Sequence, residues 1–329
     1  LLLTPLVGCG PKGSEKQGSN TTETHGKKYN VAYLVNGNLG DKSFFDSAAA
    51  GLKTLEEDGR ITLKTIEMGG TDADKPRWLQ TLYEVSDLGE YDLIICGTYQ
   101  MPDFLKEVAT KYPDQKYAIF DDNTYAGENK NVLNLTYKQN ELGYIIGTLA
   151  ASMTTDTSVE RINPEKVIGF VGGVDSPVIN DFLYGYITGA QNVDPEIKVD
   201  TRYTNDYVDT AIAKEYGLSM ISDNKADIIW GVAGNAGNGA AEAALEKNTA
   251  WFIGVDSDQE STFSPDLAAI TLTSGLKNVG NSLIWVFDEW DAGREYWGTE
   301  VTLGLKENGV GVVTDKNFAK YASQATKDK

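Results

Sequence analysis

The chain has 329 residues, 48 of them acidic and 29 basic, giving a net charge of −19. That length suggests about two domains of ordinary size, and the acidity argues against a broad basic patch for nucleic acid or an anionic membrane surface. One histidine, His25, and two cysteines, Cys9 and Cys96, exclude a Ser-His-Asp or Cys-His catalytic set, a His/Cys zinc site and a disulfide framework.

The first residues, Leu1-Leu2-Leu3 and then Leu6-Val7-Gly8-Cys9, form a short apolar segment that closes on a small residue and a cysteine. This is the pattern of a bacterial lipobox, so residues 1–8 read as residual signal peptide and Cys9 as the lipidated residue. Residues 10–29 carry almost nothing apolar, so 9–29 reads as a lipidated cysteine on a flexible tether. A globular body on such a leash belongs outside the cytoplasm, held at the cell membrane by its lipid alone. No later stretch offers the roughly eighteen apolar residues of a membrane span.

Beyond the tether, Val31 to Val35 predicts a strand, and Phe45, Ala48, Ala49, Leu52 and Leu55 recur on one helical face. Strands follow at Ile61–Ile66, Leu93–Cys96 and Tyr117–Phe120, with helices over 75–88 and around Phe104 to Tyr112. Continuous apolar strands alternating with amphipathic helices imply a parallel sheet covered on both faces. The pattern restarts with a strand at Val132–Thr136, a helix over 142–151 and a polar loop from Thr154 to Glu165. Strands at Val167–Val171, 197–203, Asp227–Trp230 and Trp251–Val255 then alternate with helices near 178–191, 210–222 and 237–247. Ala268–Thr273 predicts a strand, and Leu276, Val279, Leu283, Phe287 and Trp290 one face of a helix. Val301–Leu305, Val310–Val313 and a short C-terminal helix are too little for a third domain.

The fold class is therefore α/β: two doubly wound parallel-sheet lobes, with a chain that crosses between them more than once as a hinge. The expected division is 30–137 plus 272–298 for lobe I and 138–271 plus 299–329 for lobe II.

Ligands of such sheets sit beyond the carboxyl ends of the strands. The chemistry-bearing residues there are Asn36, Asp41, Ser43 and Phe44, then Asp121, Phe182, Tyr203, Tyr207, Gly234, Asp256 and Lys277. Carboxylates accept from hydroxyls and aromatic faces sandwich rings, so the set suits a sugar diol joined to a flat base. Asp41 and Ser43 equally suit a helix cap. Gly37-x-x-Gly40-Asp41-Lys42-Ser43 lacks the Gly-Lys adjacency of a phosphate loop, and its carboxylate would repel phosphate, which favours an uncharged ligand. Asp121-Asp122 offers an acid/base couple, although neighbours on a strand face opposite ways. Asp256-Ser257-Asp258 offers a cation two carboxylates without a third. No cofactor, metal or catalytic residue is expected.

Six strings together carry a resemblance: Gly40-Asp41-Lys42-Ser43-Phe44, Gly169-Phe-Val-Gly-Gly173, Phe182-x-x-Gly185-Tyr186-x-x-Gly189-Ala190, Ala233-Gly234-x-x-Gly237-x-Gly239, Ile253-Gly254-Val255-Asp256-Ser-Asp258-Gln259 and Thr273-Ser274-x-x-Lys277. In this order, over about residues 30 to 290, the chain resembles the basic membrane protein family, bacterial lipoproteins that include the purine nucleoside receptor type. The resemblance implies a type I periplasmic-binding-protein fold. It also implies a monomer that captures a nucleoside, a purine one by preference, for an ATP-binding-cassette permease. By the same resemblance Phe44 stacks on the base, Asn36 and Asp121 bond its edge, and Asp256 and Lys277 hold the ribose. Phe182, Tyr203 and Tyr207 compete for the second stacking wall. Phe45 stands where the family usually has Asn. Three other readings remain open at this point: a receptor for another small polar ligand, such as a sugar-like signal or a vitamin; an extracytoplasmic nucleoside hydrolase built on Asp121 and Asp256; and a host-facing adhesin.

Overall fold

The computed structural model describes residues 27–328; the expected signal remnant, the lipidated Cys9 and nearly all of the tether lie outside them. The first run of elements is β1 (Tyr29–Val35), α1 (Phe44–Glu57), β2 (Ile61–Glu67), α2 (Lys75–Leu88), β3 (Leu93–Gly97), α3 (Pro102–Lys111), β4 (Tyr117–Phe120) and β5 (Val132–Tyr137). The second is α4 (Gln139–Thr154), β6 (Val167–Gly172), α5 (Pro177–Val193), β7 (Lys198–Tyr203), α6 (Thr210–Ser222), β8 (Ile228–Val232), α7 (Gly234–Lys247) and β9 (Trp251–Asp256). The chain closes with α8 (Gln259–Thr262), α9 (Pro265–Ala268), β10 (Thr271–Lys277), α10 (Val279–Asp291), β11 (Thr299–Leu303), β12 (Val310–Val312), α11 (Lys316–Tyr321) and α12 (Gln324–Lys327).

Two six-stranded sheets result, in the orders β11-β5-β4-β3-β1-β2 and β12-β10-β9-β8-β6-β7. Every pairing is parallel except β10 with β12. The central strands β3, β4, β6, β8 and β9 are buried along their whole length, as a parallel sheet packed under helices on both faces requires. Local chemistry sets the helix ends. Pro76 lies in the first turn of α2 and Gly89 ends it in the left-handed conformation, while Ser176 caps α5 ahead of Pro177.

The type I fold is thus present, and the final strands are distributed otherwise than expected. β10 belongs to the second sheet, between β9 and β12, whereas 272–298 was assigned whole to lobe I; β11 pairs with β5 in the first sheet, whereas 299–329 was assigned to lobe II. Leu276, expected on a helical face, lies in β10, which begins three residues later than expected, after α9, and runs on to Lys277 because β9 and β12 pair with it there.

Three segments cross between the sheets: β5 to α4, β10 to α10, and β11 to β12. They are bonded together. Lys138 N–H donates to Leu303 C=O (3.0 Å) and Asn278 N–H to Gly309 C=O (2.9 Å), while Leu305 N–H donates to Glu141 Oε2 (2.9 Å). After the first crossing α4 lies directly on α5. A Cβ added to Gly147 would stand 2.1 Å from Tyr186 O, and one on Gly189 2.1 Å from Tyr144 O, so these backbones meet with no room for a side chain.

Candidate functional site

The carboxyl ends of both sets of strands face one cavity of about 250 Å³. Its wall from the first lobe is the loop after β1. There Asp41 acts chiefly as a cap: Oδ1 accepts from the N–H groups of Ser43 (3.0 Å) and Asp46 (3.1 Å), and Oδ2 from Phe45 N–H (2.9 Å). These satisfy donors that a helix start leaves unpaired. Burial pushes the Asp41 carboxyl up from the ordinary carboxylate range, and the same three amides pull it back. With its first turn fixed, α1 presents Phe44 and Phe45 side by side, rings edge-on at 5.3 Å and 73°.

Three strand ends supply residues in the left-handed region: Thr98 after β3 (φ 76°), Asp121 after β4 (φ 68°) and Asp256 at the end of β9 (φ 66°). A β-branched residue such as Thr98 rarely adopts this conformation, and such positions gather where side chains are held for a ligand. Thr98 Oγ1 accepts from Asn36 Nδ2 at 2.7 Å, leaving Asn36 Oδ1 buried with no partner among the described residues.

Charge is concentrated on two carboxylates and one ammonium. Lys277, 1% exposed at the end of β10, pairs with Asp121 Oδ1, and Gln139 Nε2 donates to the same oxygen at 2.9 Å. The Lys277 ammonium also lies 5.2 Å from the Phe44 ring and 5.4 Å from that of Phe182, a placement that favours a cation. Asp256 Oδ2 accepts from Ser43 Oγ at 2.7 Å. Burial pushes the Asp256 carboxyl up to about 6, against the opposing pull of Lys277 and the Ser43 hydroxyl.

Of the residues singled out from sequence, Asn36, Asp41, Phe44, Asp121, Phe182, Tyr207, Gly234, Asp256 and Lys277 line the cavity. Two do not. Ser43 is fully buried and reaches the cavity only through Asp256. Tyr203 lies outside, its hydroxyl donating to Asn180 Oδ1 at 2.5 Å. Among the remaining aromatics, Phe182 is 2% exposed and packs edge-on against Trp230 at 5.6 Å. Tyr207 reaches over the cavity from the second lobe, its hydroxyl 3.4 Å from that of Tyr99. Phe45 also lines the cavity, its ring against Gly37, where an added Cβ would be 2.3 Å away.

The two carboxylate pairs considered from sequence are separated. Asp122 turns away from the cavity to accept from Thr124 N–H (2.9 Å) and Thr124 Oγ1 (2.7 Å), past the end of β4 where Asp121 is left-handed. Asp258 is paired with Lys316, away from Asp256. Among the described residues no group of His, Cys, Asp and Glu could hold a metal ion, and no helix is long and apolar enough to cross a membrane. Sequence reasoning missed Thr98, Tyr99 and Gln100, which line the cavity from the loop after β3, and Gln139 behind Asp121. Position after an apolar strand was the one signal available for the former.

Comparison with known proteins agrees with this architecture. Residues 28–329 match the family model described as ABC transporter substrate-binding protein PnrA-like. The chain is 31% identical to Basic membrane protein A of Borreliella burgdorferi over 295 residues, covering 88% of this chain and 81% of that protein. It is 29% identical to an uncharacterised lipoprotein of Pyrococcus abyssi over 342 residues, 99% of this chain and 78% of the other. Among solved structures, a solute-binding protein of an ABC transporter system from Aeropyrum pernix K1 is similar, with a TM-score of 0.76 and 28% identity over 91% of this chain and 80% of that one. Substrate-binding proteins of this kind work outside the cytoplasm, hold a small molecule and hand it to a permease. The chain belongs to the PnrA-like family of ABC transporter substrate-binding proteins.

Proposed function

We propose that the chain captures a nucleoside, a purine one by preference, between its two lobes and delivers it to an ABC permease. It performs no catalysis and is held at the membrane by a lipid on Cys9. The observation that carries this reading is the pairing of an aromatic from each lobe, Phe44 and Tyr207, with carboxylates from each lobe, Asp121 and Asp256, around one cavity of about 250 Å³. A flat base stacks between the rings, and ribose hydroxyls donate to Asp256. Lys277 pairs with Asp121 while its charge also acts on Asp256, and Asp121 with the Asn36 amide bonds the edge of the base. Three acids, Asp41, Asp121 and Asp256, against one ammonium disfavour a phosphate, so the ligand is the nucleoside and not the nucleotide. Calorimetry with adenosine, guanosine, cytidine and ribose tests the reading: purine nucleosides bind and ribose alone does not. Tight binding of ribose, or release of free base on overnight incubation, would overturn it.

A further inference from the structure

Gln139 is the first residue of α4, immediately past the β5 crossing, and 6% exposed. Lys277 is the last residue of β10, immediately before the second crossing. Both side chains donate to Oδ1 of Asp121. No donor among the described residues reaches Oδ2, so the half of the carboxylate left over belongs to the cavity that Asp121 lines.

The two donors do different work. An ammonium is a point charge with three rotatable donors, and it fixes the distance to a carboxylate better than its plane. The terminal torsion of an aspartate is broad, so with Lys277 alone the carboxylate can swing about Cβ–Cγ and offer either oxygen. A neutral amide reaching the same oxygen from another chain segment stops that rotation without changing the charge of the cleft. We infer that Gln139 is a positioning residue for ligand capture, holding Asp121 so that Oδ2 accepts an N–H from the edge of the base and tying that carboxylate to a lobe crossing. This rests on the nucleoside reading above.

The test is calorimetry on the full chain with inosine, which carries a donor N–H on its base edge, and with purine riboside, which has neither that N–H nor an exocyclic amine. Gln139→Met is expected to weaken inosine about tenfold, as for loss of one hydrogen bond to a charged group. Purine riboside should change less than twofold. Equal losses for the two ligands would make Gln139 merely structural, and unchanged inosine affinity would remove the role altogether. Should Gln139→Met melt well below the wild type, the smaller Gln139→Ala, which also removes the donor and leaves the charge of the cleft unchanged, carries the same comparison. A wild-type chain that binds neither ligand overturns the nucleoside reading and this role with it, whereas wild-type binding with an unaffected variant overturns this role alone.

Discussion

Asp121 and Asp256 hold the same station in the two lobes. Each stands at the end of the third strand in its sheet, β4 or β9, each is left-handed, at φ 68° and 66°, and each accepts from a donor supplied by the opposite lobe. The cleft therefore closes on two carboxylates that are cross-braced before any ligand contact is made. Asp256→Ala should abolish nucleoside binding, a loss of at least about a hundredfold for a charge-assisted contact, while the circular dichroism melt stays nearly unchanged. Its elevated carboxyl indicates that burial costs more than Ser43 and Lys277 return. Undiminished affinity would sink the assignment of the ribose site.

Binding should also follow pH. Asp256 accepts from a hydroxyl best when ionised, and burial moves its titration from 3.8 up to about 6. Affinity for a purine nucleoside is expected to be constant above pH 7 and to fall towards pH 5 as the carboxyl takes up a proton, by up to about tenfold per pH unit. Calorimetry at pH 7.5, 6 and 5 measures it, and a flat profile would place the hydroxyl contacts elsewhere.

A second carboxyl titrates far from the cleft. Asp227 is fully buried and accepts from Thr154 Oγ1 (2.7 Å) and Asn163 N–H (3.0 Å), yet burial still pushes it up to about 7. The folded state binds this proton more tightly than the unfolded state, so its ionisation costs nothing below pH 3.8 and its full penalty above pH 7. That displacement corresponds to roughly 4 kcal/mol. Asp227→Asn should therefore raise the melting temperature at pH 8 more than at pH 5, by several degrees. An equal effect at both pH values would show that the carboxyl is not protonated in the fold.

At the α4–α5 crossing, Gly147→Ala forces a methyl against Tyr186 O. Overpacking against backbone that cannot yield should destabilise the chain by about 3 kcal/mol, measured by urea unfolding. A loss under roughly 0.5 kcal/mol would mean the helices separate freely.

The second stacking wall can be separated by substitution. Tyr207→Ala and Phe44→Ala should each weaken nucleoside binding about thirtyfold, the scale of one buried aromatic contact, whereas Tyr203→Ala should leave it within twofold. Equal losses for Tyr203 and Tyr207 would contradict the geometry.

Much of this was legible in the residues. Helices 75–88 and 210–222 and the strand Tyr117–Phe120 have the bounds read from the sequence; Pro76 and Gly89 bracket the first of them and Asp209 caps the second. β10 was not: Thr271-Leu-Thr-Ser-Gly-Leu-Lys277 is short of apolar residues, Leu276 falls in helical phase with Val279, and its burial comes from β9 and β12 on either side. The lobe to which β11 belongs is a non-local matter, since a short strand at a sheet edge carries no record of its partner, whereas β12 lies in the second lobe as expected. Thr98 and Gln139 were invisible for a related reason. A left-handed threonine acquires its role from Asn36 just past the neighbouring strand, and a glutamine opening a helix from Asp121 across the cleft.

The exchange of the last two strands bears on how the molecule is made. Each sheet takes its final edge strand from the last thirty-odd residues, after α10, so neither lobe is a continuous stretch of chain: the first sheet is complete only once Leu303 has emerged and the second only once Val312 has. A chain cut short after α10 would present two bare sheet edges, each a template for wrong pairing. Closure of both sheet edges is thereby left to the last residues to be synthesised.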